Sequence, residues 1–283
     1  MNFYIAFTIC NLFTWFSAGF YFSIFTTHFI SMTNFIKGIG FIVFLFYCTA
    51  AQSQTYFISN AHSHNDYLNS KPFTRAYEAG FGSIEADIFP SNDTLYVAHS
   101  KKEIQAQRTL KSLYLDPLYH DLTINSSRRV KLLIDIKENY ALSLQLLEKK
   151  LEPFKPYLYS NENTDRPLLI LISGTRPLPA EYEKYPGYIF FDDDLKLHHS
   201  AAEWERVGQV SLCFENFSTW KGKGRLNTKD KKLLKHLIDS VHLAGKPIRF
   251  WAAPDNKTSW KIQMKLGADL IGTDKINELA GFL

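Results

Sequence analysis

Beyond residue 55, short runs of apolar and β-branched residues alternate with longer stretches in which apolar positions recur every three or four residues. The short runs read as strands buried on both faces, the signature of a parallel sheet. They are YFISNA (56–61), SIEADIF (83–89), VKLLIDI (130–136), PLLILIS (167–173), YIFFD (188–192), QVSLCF (209–214), PIRFWAA (247–253) and DLIGTD (269–274). The longer period predicts helices over 73–80, 141–154, 228–245 and 256–267, and Gly80, Gly245 and Gly267 stop three of them. TLYVAH (94–99) reads as a hairpin partner of the second strand. Eight strands with helical returns over about 230 residues predict a single-domain α/β fold, the (β/α)8 TIM barrel.

The first 51 residues follow a different rule. Lys37 is their one charged residue, and the stretch contains no acid. From Met32 a short polar start leads into an apolar core, Ile39 to Tyr47, and then to Thr49, Ala50 and Ala51. That is a signal-peptide layout, with translation starting at Met32. The expected organisation is a hydrophobic leader over 1–51 and an exported, periplasmic or secreted, domain over 55–283. The alternative is a retained membrane anchor, since roughly 20 apolar residues span a bilayer. Cys48 suggests lipidation, but bulky Tyr47 precedes it where a small residue is needed. All 28 acids, and all but one of the 32 lysines and arginines, lie beyond this stretch. Their small positive balance argues against nucleic acid as a partner. Cys213 is alone outside the leader, so no internal disulfide framework exists. Its apolar run predicts a core position.

A barrel concentrates its chemistry at the carboxyl ends of the strands. The first predicted strand runs into AHSHNDY, with His62, His64, Asn65 and Asp66. The second carries Glu85 and Asp87, which share one face because they are two residues apart. The hairpin ends at His99, and the third strand carries Asp135 and then Lys137. Each signal alone is commonplace; their order is informative. Three acids on neighbouring strands repel one another unless a cation or a proton joins them. Two histidines beside them supply a general base and a general acid near neutral pH.

This arrangement resembles the glycerophosphodiester phosphodiesterase and phosphatidylinositol-specific phospholipase C superfamily. The segments SHNDY, GFGSIEADIF, RFWAAPD and GADLIGTD resemble its altered inheritance of mitochondria protein 6-like branch. The resemblance runs over about residues 55–283. It implies a metal-dependent phosphodiesterase, a phosphoric diester hydrolase with His64 and His99 as catalytic residues. It further implies a divalent cation, Mg²⁺ or Ca²⁺, on Glu85, Asp87 and Asp135. Asn65, Lys137, Arg249 and Trp251 are the implied substrate contacts. The implied partner is a phosphodiester small molecule or lipid headgroup, with peripheral membrane contact. Asn65 and Asp66 stand where glycerophosphodiester enzymes carry Arg and Gly. Arg249 is the expected replacement for that arginine, and Asp274 is expected to orient Arg249 or Lys137. His62 is expected to support the site from behind, and FFDDDLK (190–196) to be a solvated acidic loop. Two other classes compete. An amidohydrolase-type H-x-H zinc site at His62 and His64 lacks further histidines at the middle strand ends. A non-catalytic barrel would keep the site as a binding surface.

Overall fold

Alternation along the second strand sets the architecture. In the computed structural model, which describes residues 54–124 and 127–283, β2 (Ser83–Ser91) turns Ile84, Ala86 and Ile88 into the main apolar core. Ser83, Glu85 and Asp87 take the opposite face, which is the inside of a barrel. The other strands are β1 (Ala61–Ser63), β3 (Thr94–Val97), β4 (Val130–Ile136), β5 (Leu168–Gly174), β6 (Ile189–Asp193), β7 (Val207–Cys213), β8 (Ile248–Trp251) and β9 (Ile271–Thr273). Their spatial order is β8-β7-β6-β5-β4-β2-β1-β9, with all neighbours parallel. A parallel bridge between Arg249 and Leu270 brings the two ends together. β3 is the expected hairpin partner, antiparallel to β2. The fold is the (β/α)8 barrel that the strand pattern predicts.

Register stacks the inward residues in layers. Ser83, Lys131 and Leu169 are level at the base. Glu85, Leu133, Leu171 and Phe190 are level in the middle, and Asp87, Asp135 and Ser173 are level at the top. Leu133, Leu171 and Phe190 form an apolar plug separate from the main core. The main core lies between the outer face of the sheet and helices α1 (Thr74–Glu78), α2 (Asp116–Ile124), α3 (Tyr140–Leu151), α4 (Ala201–Glu205), α5 (Thr228–Leu243), α6 (Lys257–Leu266) and α7 (Ile276–Ala280). In α5, Leu234, Ile238 and Val241 are buried at spacings of four and three, one stripe of an amphipathic helix. Asn227 caps its start by accepting from the Asp230 N–H. Helix α2 was not anticipated; Pro117 interrupts its pattern and falls at its second residue, after a π-helical turn over Lys111–Leu115.

One predicted strand is displaced. Residues 58–60 form a 3₁₀ turn, and β1 begins only at Ala61. The Tyr56 hydroxyl donates to the carbonyls of Met264 and Ala268 at 3.0 and 2.8 Å. The Phe57 N–H donates to Asn60 Oδ1, and Asn60 Nδ2 donates to the Asp269 carbonyl. These bonds satisfy the segment across the barrel base, so it needs no sheet partner. The shift moves His62 from the strand end into the strand. The leader expectations on residues 1–51, including Met32, Lys37 and Cys48, lie outside the described residues. Among the described residues no helix is long and apolar enough to cross a membrane.

Candidate active site

A cleft of about 380 Å³ opens at the carboxyl ends of the strands. His64, Asn65, Glu85, Asp87, His99, Asp135, Lys137, Arg249 and Trp251 all line it. The residues singled out in the sequence therefore share one cavity, although they come from five strands and their loops.

The acids come together through sheet register. Asp87 pairs with Asp135 across β2 and β4, and Glu85 lies one layer below on the same face. One oxygen from each of the three lies within 4.8 Å of the others. Backbone at Gly174 makes this possible. Its φ is +70°, and a Cβ there would stand 2.0 Å from Asp135 Oδ1 and 2.5 Å from the Ile136 carbonyl. Only glycine leaves Asp135 its place. Lys137 Nζ lies 2.8 Å from Asp87 Oδ2 and 3.0 Å from Asp135 Oδ2. Burial and the neighbouring Glu85 charge push the Asp87 carboxyl up, while Lys137 pulls it down less strongly. Three hard carboxylate oxygens at this spacing suit Mg²⁺ or Ca²⁺. Among the described residues this is the one such group of three or more, and it contains no histidine. That is the wrong donor set for the amidohydrolase-type zinc site.

His64 and His99 are each held through Nδ1. His64 Nδ1 is 2.7 Å from Asp274 Oδ1, and His99 Nδ1 is 3.1 Å from Asp87 Oδ2. Both contacts leave Nε2 as the ring's other polar atom. Burial works to lower the His64 pKa, but the Asp274 hydrogen bond and the Glu85 and Asp274 charges outweigh it and hold the pKa above the ordinary value. Asn65 adopts a left-handed backbone, φ +46°, which asparagine tolerates. Its amide donates to both Asp274 oxygens at 3.3 and 3.2 Å, and its Oδ1 accepts from the Tyr67 hydroxyl. Asp274 thus serves His64 and Asn65, not Arg249 or Lys137 as the sequence suggested. Asp255 anchors that corner, accepting from Trp260 Nε1, Thr273 Oγ1 and the Asp274 N–H. Tyr67 also stacks on His99, with ring centroids 6.4 Å apart. Tyr67 and Asp255 end the SHNDY and RFWAAPD segments, but no role could be read for them there, because the contacts to His99, Thr273 and Asp274 form only between loops.

Beneath the cleft the barrel interior is ionic. His62 is fully buried, with Nδ1 2.8 Å from Ser83 Oγ. Its Nε2, Glu85 Oε2 and Arg249 Nη1 form a triangle with sides of 2.6, 2.8 and 3.1 Å. Burial and the guanidinium push the His62 pKa down to about 3, so the ring is neutral. Burial opposes the Glu85 charge, yet Arg249 and His62 outweigh it and hold the carboxyl well below the usual range. Arg249 is 4% exposed, and its Nε donates to Ser211 Oγ. Its guanidinium is committed to the floor of the cleft, whereas Trp251 is 46% exposed on the rim.

Other polar residues of the sequence lie elsewhere than expected. Asp66 is fully buried, bonded to Ser63 Oγ and the Phe73 N–H, so it clamps the loop after β1. Asp192 and Asp193 are also buried, not solvated. Asp193 pairs at 3.0 Å with His199, whose side chain is 5% exposed. Cys213 is half-buried and lines the cleft instead of packing in the core.

Residues 52–127 match the AIM6-like phosphodiesterase domain. The resemblance read from the motifs is borne out. The chain is 27% identical over 267 residues to the altered inheritance of mitochondria protein 6 homolog of Arthroderma benhamiae, across 78% of this chain and 82% of that protein. It is 28% identical to altered inheritance of mitochondria protein 6 of Kluyveromyces lactis, across 80% of this chain and 72% of that one. In fold it is similar to a Ca²⁺-dependent phosphatidylinositol-specific phospholipase C from Streptomyces antibioticus. That likeness has a TM-score of 0.51 and 11% identity, covering 79% of this chain and 93% of the other.

Proposed function

We propose that the chain is a metal-dependent phosphodiesterase acting by histidine acid–base catalysis. One observation carries the reading. Two histidines, each fixed through Nδ1 by a carboxylate, line the same cleft as three clustered acid oxygens. Glu85, Asp87 and Asp135 would hold Mg²⁺ or Ca²⁺, and the likeness to a Ca²⁺-dependent enzyme is in keeping with that donor set. A bound ion supplies positive charge against a non-bridging phosphate oxygen.

The chain's own groups do the rest. His64 Nε2 takes the proton of the attacking hydroxyl, with Asp274 stabilising the imidazolium that forms. His99 Nε2 gives a proton to the leaving oxygen. When the attacking hydroxyl belongs to the substrate, the product is a cyclic phosphate, and the two histidines exchange roles in its hydrolysis. Asn65 and Trp251 contact the substrate. Arg249 holds Glu85 charged and in place from below. The partner is a phosphodiester small molecule or lipid headgroup presented at a membrane surface, and the leader over 1–51 directs export.

³¹P NMR of glycerophosphodiesters and lysophospholipids incubated with the full chain tests this reading. Ion-dependent appearance of a monoester or cyclic phosphate supports it. Unchanged diester spectra across the panel, with a folded protein and saturating ion, favour the non-catalytic binding barrel.

A further inference from the structure

We infer that Lys137 and the divalent cation are alternative occupants of one seat, so that Lys137 acts as a built-in counterion that the ion must displace. The inference rests on the reading of Glu85, Asp87 and Asp135 as ion ligands.

Lys137 follows Asp135 by two residues, and its N–H still donates to the Ile88 carbonyl, so the chain keeps the sheet's register past the end of β4. Alternation therefore sends both side chains to the same side. The ammonium ends up 2.8 Å from Asp87 Oδ2 and 3.0 Å from Asp135 Oδ2. Those carboxylates are two of the three whose oxygens cluster within 4.8 Å. A Ca²⁺ or Mg²⁺ ion needs its oxygens at roughly 2.0–2.6 Å. An ammonium hydrogen-bonded to two of the three ligands competes with an ion for their lone pairs. The two positive charges would also repel at short range in a half-dry site, where side-chain exposure is 3% for Asp87 and 20% for Lys137 and Asp135.

The arrangement has a function on each side of the exchange. Without the ion, Lys137 keeps the acids from repelling one another. With the ion, the ammonium is released on the cleft side, which Lys137 lines, and becomes available to an anion there. The affinity for the ion is then reduced by the fraction of time the seat is taken.

Titration calorimetry with Ca²⁺ and Mg²⁺ on the full chain tests the exchange, comparing wild type with Lys137→Gln and Lys137→Arg. The exchange predicts that Lys137→Gln binds the ion about tenfold more tightly, as for a seat nine-tenths occupied. It predicts a lower melting temperature for Lys137→Gln in chelator and a larger rise on adding ion. Lys137→Arg keeps the competing cation and stays near wild type. Lys137→Met, which keeps the stem, gives the same reading if Lys137→Gln does not fold. Equal or weaker ion affinity in the neutral variants overturns the exchange while leaving the ion site standing. No ion binding to any form overturns the ion site itself and the exchange with it.

Discussion

His64 and Asp274, 210 residues apart in the chain, meet through a 2.7 Å hydrogen bond at the mouth of the barrel. The two belong to the loops after β1 and β9, which are adjacent strands. The bond fixes the ring and raises its pKa. Asp274→Ala should therefore lower kcat/KM by roughly a hundredfold. The same change should move the acid limb of the pH–rate profile to lower pH, because His64 loses the charge that favours its protonated form. A profile with the rate lowered but the limb unmoved would assign Asp274 to structure alone.

Arg249 is buried below the cleft against Glu85 and His62. Removing one partner of a buried pair leaves the other charge uncompensated, at a cost of about 3–5 kcal/mol. Urea unfolding of Arg249→Met at pH 7 should show that loss, and Arg249→Met with Glu85→Gln should recover part of it. A variant as stable as wild type, defective only in KM, would make Arg249 a direct substrate contact instead.

Gly174 touches the acid group through space. A methyl group there collides with Asp135 Oδ1 and the Ile136 carbonyl in a left-handed backbone. Gly174→Ala should cost roughly 1–3 kcal/mol and weaken ion binding, since Asp135 must move. Calorimetry would show both effects; normal ion affinity in this variant would remove Asp135 from the ligand set.

Burial pushes the Asp192 carboxyl up to about 6, and its Oδ1 has no hydrogen-bond partner. Between about pH 4 and pH 6 the folded chain keeps a proton that the unfolded chain has lost. Stability attributable to this group is therefore full below about pH 4 and falls as pH rises to 6, by roughly 3 kcal/mol. Asp192→Asn should be more stable than wild type at pH 8 and no more stable at pH 4. Thermal melts across that range test the difference, and a gap that is independent of pH would contradict it.

The barrel was legible because alternation survives in the strands: Ile84 and Ile88 face out and Glu85 and Asp87 face in, as the two-residue period requires. The candidate cluster was legible because its members sit at strand ends or on the hairpin. The turn at 58–60 was not, since Tyr56 finds its partners more than 200 residues later. Nor was the ionic floor. A histidine in an H-x-H run and an arginine in RFWAAP give no sign that they meet until the barrel closes. FFDDDLK reads as surface by composition, yet burial of Asp192 and Asp193 follows from where β6 ends and from His199 on the next loop.

Hydrolysis of bis(p-nitrophenyl) phosphate by the full chain, with Ca²⁺ or Mg²⁺ and with chelator, beside His99→Ala, decides whether the cleft performs histidine-dependent phosphodiester cleavage. The His99 side chain is 64% exposed and Lys137 still pairs with Asp87 in its absence, so its loss should cost no more than about 1 kcal/mol of stability. Ion-dependent release is expected in wild type, with a loss of roughly 10²–10⁴-fold in the variant. Ion-independent release, or equal rates in the two proteins, would contradict the proposed mechanism.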